Sequence, residues 1–226
     1  MPKLVRWWAL PVVASLVLTL GGCSGGGSDG PGDSVEELLK GMVLRAEDLP
    51  TGYIPEEGEF SANEDVALGD QEKLAKLQEQ GRIMGYLVSF SRGEVSEKQA
   101  PFFGVESDAS LYETEEGAGA AFSEAVDEAR ATDWEEQLGF GDTQAEEVDR
   151  PFADERLWIR VTGLVELGEA RTPVLVIDDY ILLRQGRARG FLRVSSALEG
   201  TADRSSLIEE VAALAEKQVE RVKDSL

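Results

Sequence analysis

The chain has 226 residues, of which 42% are hydrophobic, and its 44 acidic and 22 basic residues give a formal net charge of -22. Charge of this sign repels nucleic acid and anionic lipid headgroups, so no nucleic-acid partner is expected. The chain has no histidine and one cysteine, Cys23. These counts exclude a Ser-His-Asp triad, histidine-ligated metals and disulfides within the chain.

The first 22 residues have the pattern of a secretion signal. Lys3 and Arg6 are followed by an apolar run over residues 7–20, and two glycines then precede Cys23. The run is shorter than the roughly 20 residues that cross a bilayer, and Pro11 interrupts it. This favours a cleaved signal peptide, with an uncleaved interfacial helix as the alternative.

The same arrangement resembles the lipobox of bacterial lipoproteins. The resemblance implies cleavage before Cys23, acylation of Cys23 by palmitate or a similar chain, and anchoring on the extracytoplasmic face of the cell membrane, or of the outer membrane in a cell that has two. The predicted organisation is a signal peptide at 1–22, the lipidated cysteine with a flexible Gly/Ser tether at 23–34, and one extracytoplasmic domain at 35–226.

Within this domain the hydrophobic pattern predicts both helices and strands. Helices are predicted at 35–42 and 71–80, from a Thr114 cap onward, and at 203–223. Strands are predicted at 82–92, 103–112, 157–165, 174–183 and 188–196, with a sixth at 145–148. The turn Gln185-Gly186-Arg187 indicates a hairpin and therefore antiparallel pairing. The expected fold class is α+β, a single domain in which a mainly antiparallel β-sheet of five to six strands is packed by helices, with a long C-terminal helix.

Five short motifs follow one another along the domain. They are Glu47-Asp48-Leu49-Pro50-x-Gly52-Tyr53, Gly81-Arg82-Ile83-x-Gly85-Tyr86, Ser110-Leu111-Tyr112 followed by Ala121-Phe122, Asp154-Glu155, and Ala213-Leu214-Ala215-Glu216-Lys217-Gln218 before Arg221. In this order they resemble uncharacterised lipoproteins and membrane-attached proteins of actinobacteria and related phyla. The resemblance implies an extracytoplasmic α+β domain, and it brings neither catalytic residues nor a substrate.

Two adjacent acids, Asp178 and Asp179, lie inside an apolar predicted strand. Successive strand residues point to opposite faces, so only one of them is expected to face the core. A buried carboxylate there would have a raised pKa and could act as an acid or a ligand. The alternative is a bulge or an exposed strand end, with arginine partners on neighbouring strands.

Arginine and aromatic residues alternate along the last three predicted strands. The candidate ligand-binding residues are Arg156, Trp158, Arg160, Tyr180, Arg184, Phe191 and Arg193. On one sheet face they could hold an anionic or sugar-like ligand, and replacing Arg160 and Arg184 together would then abolish anion binding with the fold intact. Alternatively, the face is covered and serves only as a layer of ion pairs.

Three acidic pairs raise the question of a calcium site. Glu56-Glu57, Glu135-Glu136 and Glu146-Glu147 all lack the alternating spacing and central glycine of a calcium loop, so a solvated surface is expected. The sequence also has no phosphate loop, nucleophile elbow or S-x-x-K pair. We therefore predict no metal, no cofactor and no catalytic residue.

These observations favour a non-enzymatic lipoprotein of the cell envelope, which binds an envelope protein or a small ligand or acts as a scaffold. One alternative is a glycosidase-like hydrolase with Asp154, Glu155, Asp178 and Asp179 as candidates, which requires two carboxyls about 5–10 Å apart. A second alternative is a carrier of an apolar ligand, which requires a large apolar cavity between sheet and helices.

Overall fold

The computed structural model describes residues 31–92, 102–167, 172–198 and 204–226. The predicted signal peptide, Cys23 and the first part of the predicted tether lie outside these residues. Helix α1, Pro31–Met42, begins inside the predicted tether. The described helix therefore starts four residues before the predicted domain boundary at residue 35.

The strands in the described residues pair into one antiparallel sheet. They are β1 (Tyr53–Pro55), β2 (Glu59–Ser61), β3 (Arg82–Arg92), β4 (Phe102–Tyr112), β5 (Gly141–Glu147), β6 (Glu155–Leu167), β7 (Thr172–Gln185) and β8 (Ala188–Leu198). Their order across the sheet is β1-β3-β4-β8-β7-β6-β5. Strand β2 also pairs with β3, at residues 85–87, whereas β1 pairs with residues 90–92. Four neighbouring strands, β3, β4, β8 and β7, carry the site described below.

The remaining helices cover this sheet. They are α2 (Asn63–Ala67), α3 (Gln71–Glu79), α4 (Glu115–Ala131), α5 (Trp134–Leu138) and α6 (Arg204–Ser225), and a 3-10 turn lies at Ala46–Asp48. Helix α4 begins at its predicted cap, because the Thr114 hydroxyl accepts a hydrogen bond from the N–H of Gly117 at 3.0 Å. None of the described helices is long and apolar enough to cross a membrane.

One face of the sheet, here called the α6 face, is covered by α1 and α6. In β7 it carries Ile177, Asp179, Ile181 and Leu183, since each of these lies opposite an inward residue of β8. The apolar stripe predicted for the last helix is buried here, with exposed fractions of 0–4%. Its members are Leu207, Val211, Leu214, Ala215 and Val222.

The other face, here called the α4 face, is only partly covered. In β7 it carries Asp178, Tyr180, Leu182 and Arg184. Its apolar half lies on β6, where Leu157, Ile159 and Val161 pack with residues of α4 and α5. Towards β4 and β3 the same face becomes polar, and helix α4 does not reach all of it.

The predicted fold class is confirmed: the described residues form an α+β domain with one antiparallel sheet and a long C-terminal helix. The prediction of five to six strands was too low, because eight are present in the described residues. Strands β1 and β2 have three residues each, too few to show a period of two. The predicted hairpin is confirmed, and Gly186 at its turn has φ +55°, which glycine adopts at little cost.

Candidate functional site

The strand register divides the seven predicted ligand-binding residues between two faces of the sheet. Arg156, Trp158 and Arg160 lie on the α6 face, because Arg160 is opposite Asp179 and Trp158 is opposite Ile181. Those on the α4 face are Tyr180, Arg184, Phe191 and Arg193. The expectation of one shared face was wrong because the sequence does not fix how β6 is aligned with β7, and a shift of one residue reverses every side chain.

On the α6 face, Asp179 forms a closed cluster with Arg160 and Trp158. Arg160 donates from Nε and Nη2 to the two carboxylate oxygens at 2.8 and 2.9 Å, and Trp158 donates from Nε1 at 2.6 Å. Burial raises the pKa of Asp179, and these hydrogen bonds oppose that shift. The Arg160 and Asp179 side chains are 3% and 0% exposed, so this ion pair is part of the protein interior.

On the α4 face, Asp178 pairs with a different arginine, Arg193. It accepts hydrogen bonds from the Ser195 hydroxyl and from Arg193 Nη2, the latter at 3.3 Å. The expected arginine partners of both acids are therefore present. The expected bulge or exposed strand end is not, since Asp178 and Asp179 are 2% and 0% exposed and β7 runs in unbroken register with both neighbours.

Arg193 connects this buried acid to a half-buried one, Glu106. The Arg193 Nη1 lies 3.8 Å from Glu106 Oε1, which is an ion pair but too long for a hydrogen bond. The guanidinium also lies 5.4 Å from the ring centroid of Tyr180, and that ring packs against Trp134. The side chains of Arg193 and Glu106 are 21% and 42% exposed, so this pair is accessible where the Arg160 pair is not.

Burial sets the electrostatics of this group. It raises the pKa of Glu106, an effect opposed by Arg193 and increased by Asp178 and Glu56. Burial also raises the pKa of Tyr180, which keeps its hydroxyl neutral. Glu106 is therefore harder to ionise than a fully exposed glutamate.

A cavity of about 280 Å³ opens at this pair, and we call it the Arg193 pocket. Its polar and small strand residues are Ser89, Ser91, Gly104, Glu106, Arg193 and Ser195, its apolar ones are Phe90, Phe103 and Val105, and Glu56 lines it from outside the sheet. A backbone hydrogen bond of 2.8 Å from Glu56 N–H to the Ser89 carbonyl holds that residue beside β3. The pocket is slightly smaller than the roughly 300–1,000 Å³ typical of sites for drug-sized ligands.

The floor of the Arg193 pocket consists of two neighbouring rows of residues across β3, β4 and β8. In one row Ser91 lies opposite Gly104, and Gly104 lies opposite Ser195. In the next row Ser89, Glu106 and Arg193 lie opposite one another in the same way. The first row has only small side chains. It therefore leaves open space next to the Arg193–Glu106 pair of the second row.

Gly104 has a particular role in this shape. A Cβ atom added at Gly104 would meet no other atom within 4 Å. A side chain at Gly104 would therefore begin in open space at the pocket, and a leucine there would occupy part of it.

The other predicted binding residues on the surface lie elsewhere. Arg184 pairs with Glu155, and Arg156 donates to the carbonyl oxygen of Arg150. Neither lines the Arg193 pocket. That any of the seven residues contacts a ligand remains a prediction, and Arg193 is the member that lines a cavity.

The four acids considered for hydrolysis do not meet at one site: Asp154 accepts a hydrogen bond from the neighbouring Gln185 side chain, at the same end of the sheet as Glu155. Asp178 and Asp179 point to opposite faces, and Glu155 lies opposite Arg184, six residues from Asp178 along β7. At about 3.4 Å per residue this separation is roughly 20 Å, well beyond the 5–10 Å required. The six glutamates of the acidic pairs are exposed, as expected for solvated surface.

A second cavity, about 340 Å³, lies where the β7–β8 turn meets the start of α4 and the end of α6. Glu115, Lys223 and Leu226, which line it, are exposed. None of the residues of the Arg193 pocket contributes to it.

Sequence reasoning missed most of the Arg193 pocket. It singled out Arg193 but not Glu106, Gly104 or the serines. The available signal was the row of glycine and serine in otherwise apolar strands, where small residues are unfavourable unless something must fit beside them. Without the register between β3, β4 and β8, those residues could not be placed together.

The site thus belongs to an α+β domain in which a two-sided antiparallel sheet presents a small polar pocket. No protein-family model matches the sequence, and no curated protein matches it. Among solved structures, the extracellular domain of PknH from Mycobacterium tuberculosis is similar with a TM-score of 0.48 and 12% identity, over 82% of this chain and 96% of that one.

Proposed function

We propose that this chain is a lipid-anchored, extracytoplasmic binding protein that holds a small polar ligand in the Arg193 pocket and catalyses no reaction. The observation that carries the proposal is the Arg193–Glu106 pair, which is accessible and not hydrogen-bonded within itself. The buried Asp179, by contrast, is held by close hydrogen bonds from Arg160. Because the Arg193 and Glu106 side chains stand apart beside an open space, they favour a ligand that forms hydrogen bonds with both.

The anchoring part of the proposal depends on the sequence alone. Cys23 follows a signal-like segment, and an acyl chain with a second lipid signal gives stable membrane attachment. Replacement Cys23→Ser in the full chain should release the protein from the membrane fraction and remove labelling by a palmitate analogue. Membrane retention of this variant, with no labelling of the wild type, would contradict lipid anchoring.

The absence of catalysis is supported by the arrangement of the acids. Asp178 is buried, is bound to Ser195 and Arg193, and does not line the pocket. The two acids that line the pocket are Glu106 on the strand floor and Glu56 outside the sheet, and none of the four acids considered for hydrolysis lines it.

The test compares two glycine variants of the full chain, purified in detergent. Gly104→Leu occupies part of the Arg193 pocket, whereas Gly119→Leu, in α4, adds the same side chain where a Cβ also meets nothing within 4 Å. Each protein is incubated with the small-molecule fraction of the source cell's envelope and analysed by native mass spectrometry.

We expect the same added mass on the wild type and on Gly119→Leu, and none on Gly104→Leu. An added mass on all three proteins would place the ligand elsewhere. A bare wild-type mass would contradict small-ligand binding and favour a protein partner or a scaffold role.

A further inference from the structure

We infer that the ligand of the Arg193 pocket is a neutral saccharide, which presents neighbouring hydroxyl groups to Arg193 and Glu106. This inference rests on the proposed function and names the chemical class of the ligand. It follows from the charge of the pocket, the hydrogen bonds left unmade in it and its dimensions.

The charge of the pocket disfavours an anionic ligand. Asp178 and Glu106 act electrostatically on Arg193, and Glu56, which also lines the pocket, acts on Glu106. A phosphate or carboxylate that approached the guanidinium would also approach Glu106, which lies 3.8 Å from it. Like charges at such separations are unfavourable, and the acidic chain as a whole adds to the repulsion.

The unmade hydrogen bonds disfavour a simple cation as well. Arg193 can only donate, and Glu106 in its ionised form can only accept. Because Arg193 Nη1 and Glu106 Oε1 lie 3.8 Å apart, beyond hydrogen-bond distance, both keep that capacity unused towards each other. An ammonium group could donate to Glu106 but could not accept from Arg193. A hydroxyl group does both, and two neighbouring hydroxyls can serve the two side chains together.

The serines of the pocket extend the same pattern, and Phe90, Phe103 and Val105 add apolar surface. Ser89 and Ser91 on β3 add hydroxyl groups, and Gly104 keeps the floor low between Ser91 and Ser195. Two rows along the strands span about 7 Å, and three strands span about 10 Å. A floor of that size beneath about 280 Å³ of space suits one or two sugar rings.

The experiment uses the full chain in a detergent without a sugar head group. Selective ¹⁵N-glycine labelling allows the amide of Gly104 to report on the pocket. The probes are glucose, galactose, mannose and trehalose as neutral sugars, glucuronate and inorganic phosphate as anions, and glucosamine as a cation, each titrated into the millimolar range.

We expect at least one neutral sugar to shift the Gly104 signal in a saturable way, and more strongly than its charged relative. Glu106→Gln should weaken that binding by about tenfold or more, because a hydrogen bond to a charged acceptor is lost. The control Glu146→Gln, at an exposed position of β5, should have no effect. Gly104→Leu should abolish binding, judged by calorimetry because the reporter itself is replaced.

Two results would overturn the inference, and they differ in what they leave standing. If glucuronate, phosphate or glucosamine shifts Gly104 while no neutral sugar does, the ligand class is wrong and the proposed binding function survives. If neither these probes nor the envelope fraction used in the mass-spectrometry test shifts Gly104, the pocket is not a binding site and both proposals fail.

Discussion

Asp178 and Asp179 are neighbours in β7, and each pairs with an arginine, yet the two ion pairs differ in almost every respect. Asp179 lies under α6 and α1, where its two oxygens receive three close hydrogen bonds. Asp178 lies on the face that α4 covers only in part, and its arginine reaches on to the half-buried Glu106. The comparison shows that what covers the sheet, and not the strand sequence, decides whether an acid–arginine pair is sealed or accessible.

The largest effect on stability is expected from removing one partner of the buried Arg160–Asp179 ion pair. Arg160→Ala leaves Asp179 buried with only the Trp158 donor, and removal of one partner from a buried ion pair costs about 3–5 kcal/mol. Urea-induced unfolding of the full chain, followed by tryptophan fluorescence, measures the loss. Because Arg160 is buried in this ion pair, we no longer expect the fold to stay intact when Arg160 and Arg184 are both replaced. A loss below about 1 kcal/mol would show that Asp179 is neutral in the folded protein.

A smaller effect is expected from the accessible pair. Arg193→Ala also removes a partner of a buried acid, but Asp178 keeps its bond to Ser195, and water can enter the space left behind. The free energy of unfolding should fall by about 1–3 kcal/mol. The same urea titration measures it, and a loss equal to that of Arg160→Ala would remove the distinction between the two faces.

Glu106→Gln should act in the opposite direction. The folded protein binds a proton at Glu106 more tightly than the unfolded chain does, because burial raises the pKa of this carboxyl. Stability from this residue is therefore greatest below its unfolded pKa and falls as the pH rises through the raised value. The glutamine variant has no such loss, so it should be more stable than the wild type at neutral pH and equal to it in acid.

Thermal unfolding of the wild type and of Glu106→Gln, measured from acid to neutral pH, gives the difference in stability directly. Other buried acids, such as Asp179, titrate in both proteins and cancel in the comparison. A variant that is less stable at neutral pH would show that the pairing of Glu106 with Arg193 outweighs its burial.

The smallest effect is expected at the surface. Arg130 donates two hydrogen bonds to Glu147, but both side chains are more than half exposed. Arg130→Ala should change the free energy of unfolding by less than about 1 kcal/mol, measured in the same urea titration. A larger loss would show that α4 depends on this contact with β5.

The sequence predicted the elements of this fold better than their alignment. Strand β3 and the Thr114 cap of α4 were located to the residue, since period-two alternation and capping chemistry are local properties. The grouping of Arg156, Trp158 and Arg160 with Tyr180 was wrong, because it depends on contacts between strands. Glu106 and Gly104 were missed for the same reason, as their role comes from β8 and β3 lying on either side.

Helices α1 and α6, the first and last described elements, pack together on the same face of the sheet. Arg221 near the end of α6 also binds Asp48, 173 residues earlier in the chain. Contacts this distant in sequence form slowly, and the apolar side of the sheet stays uncovered until the last helix arrives. A partly synthesised chain that still lacks α6 therefore cannot complete its core.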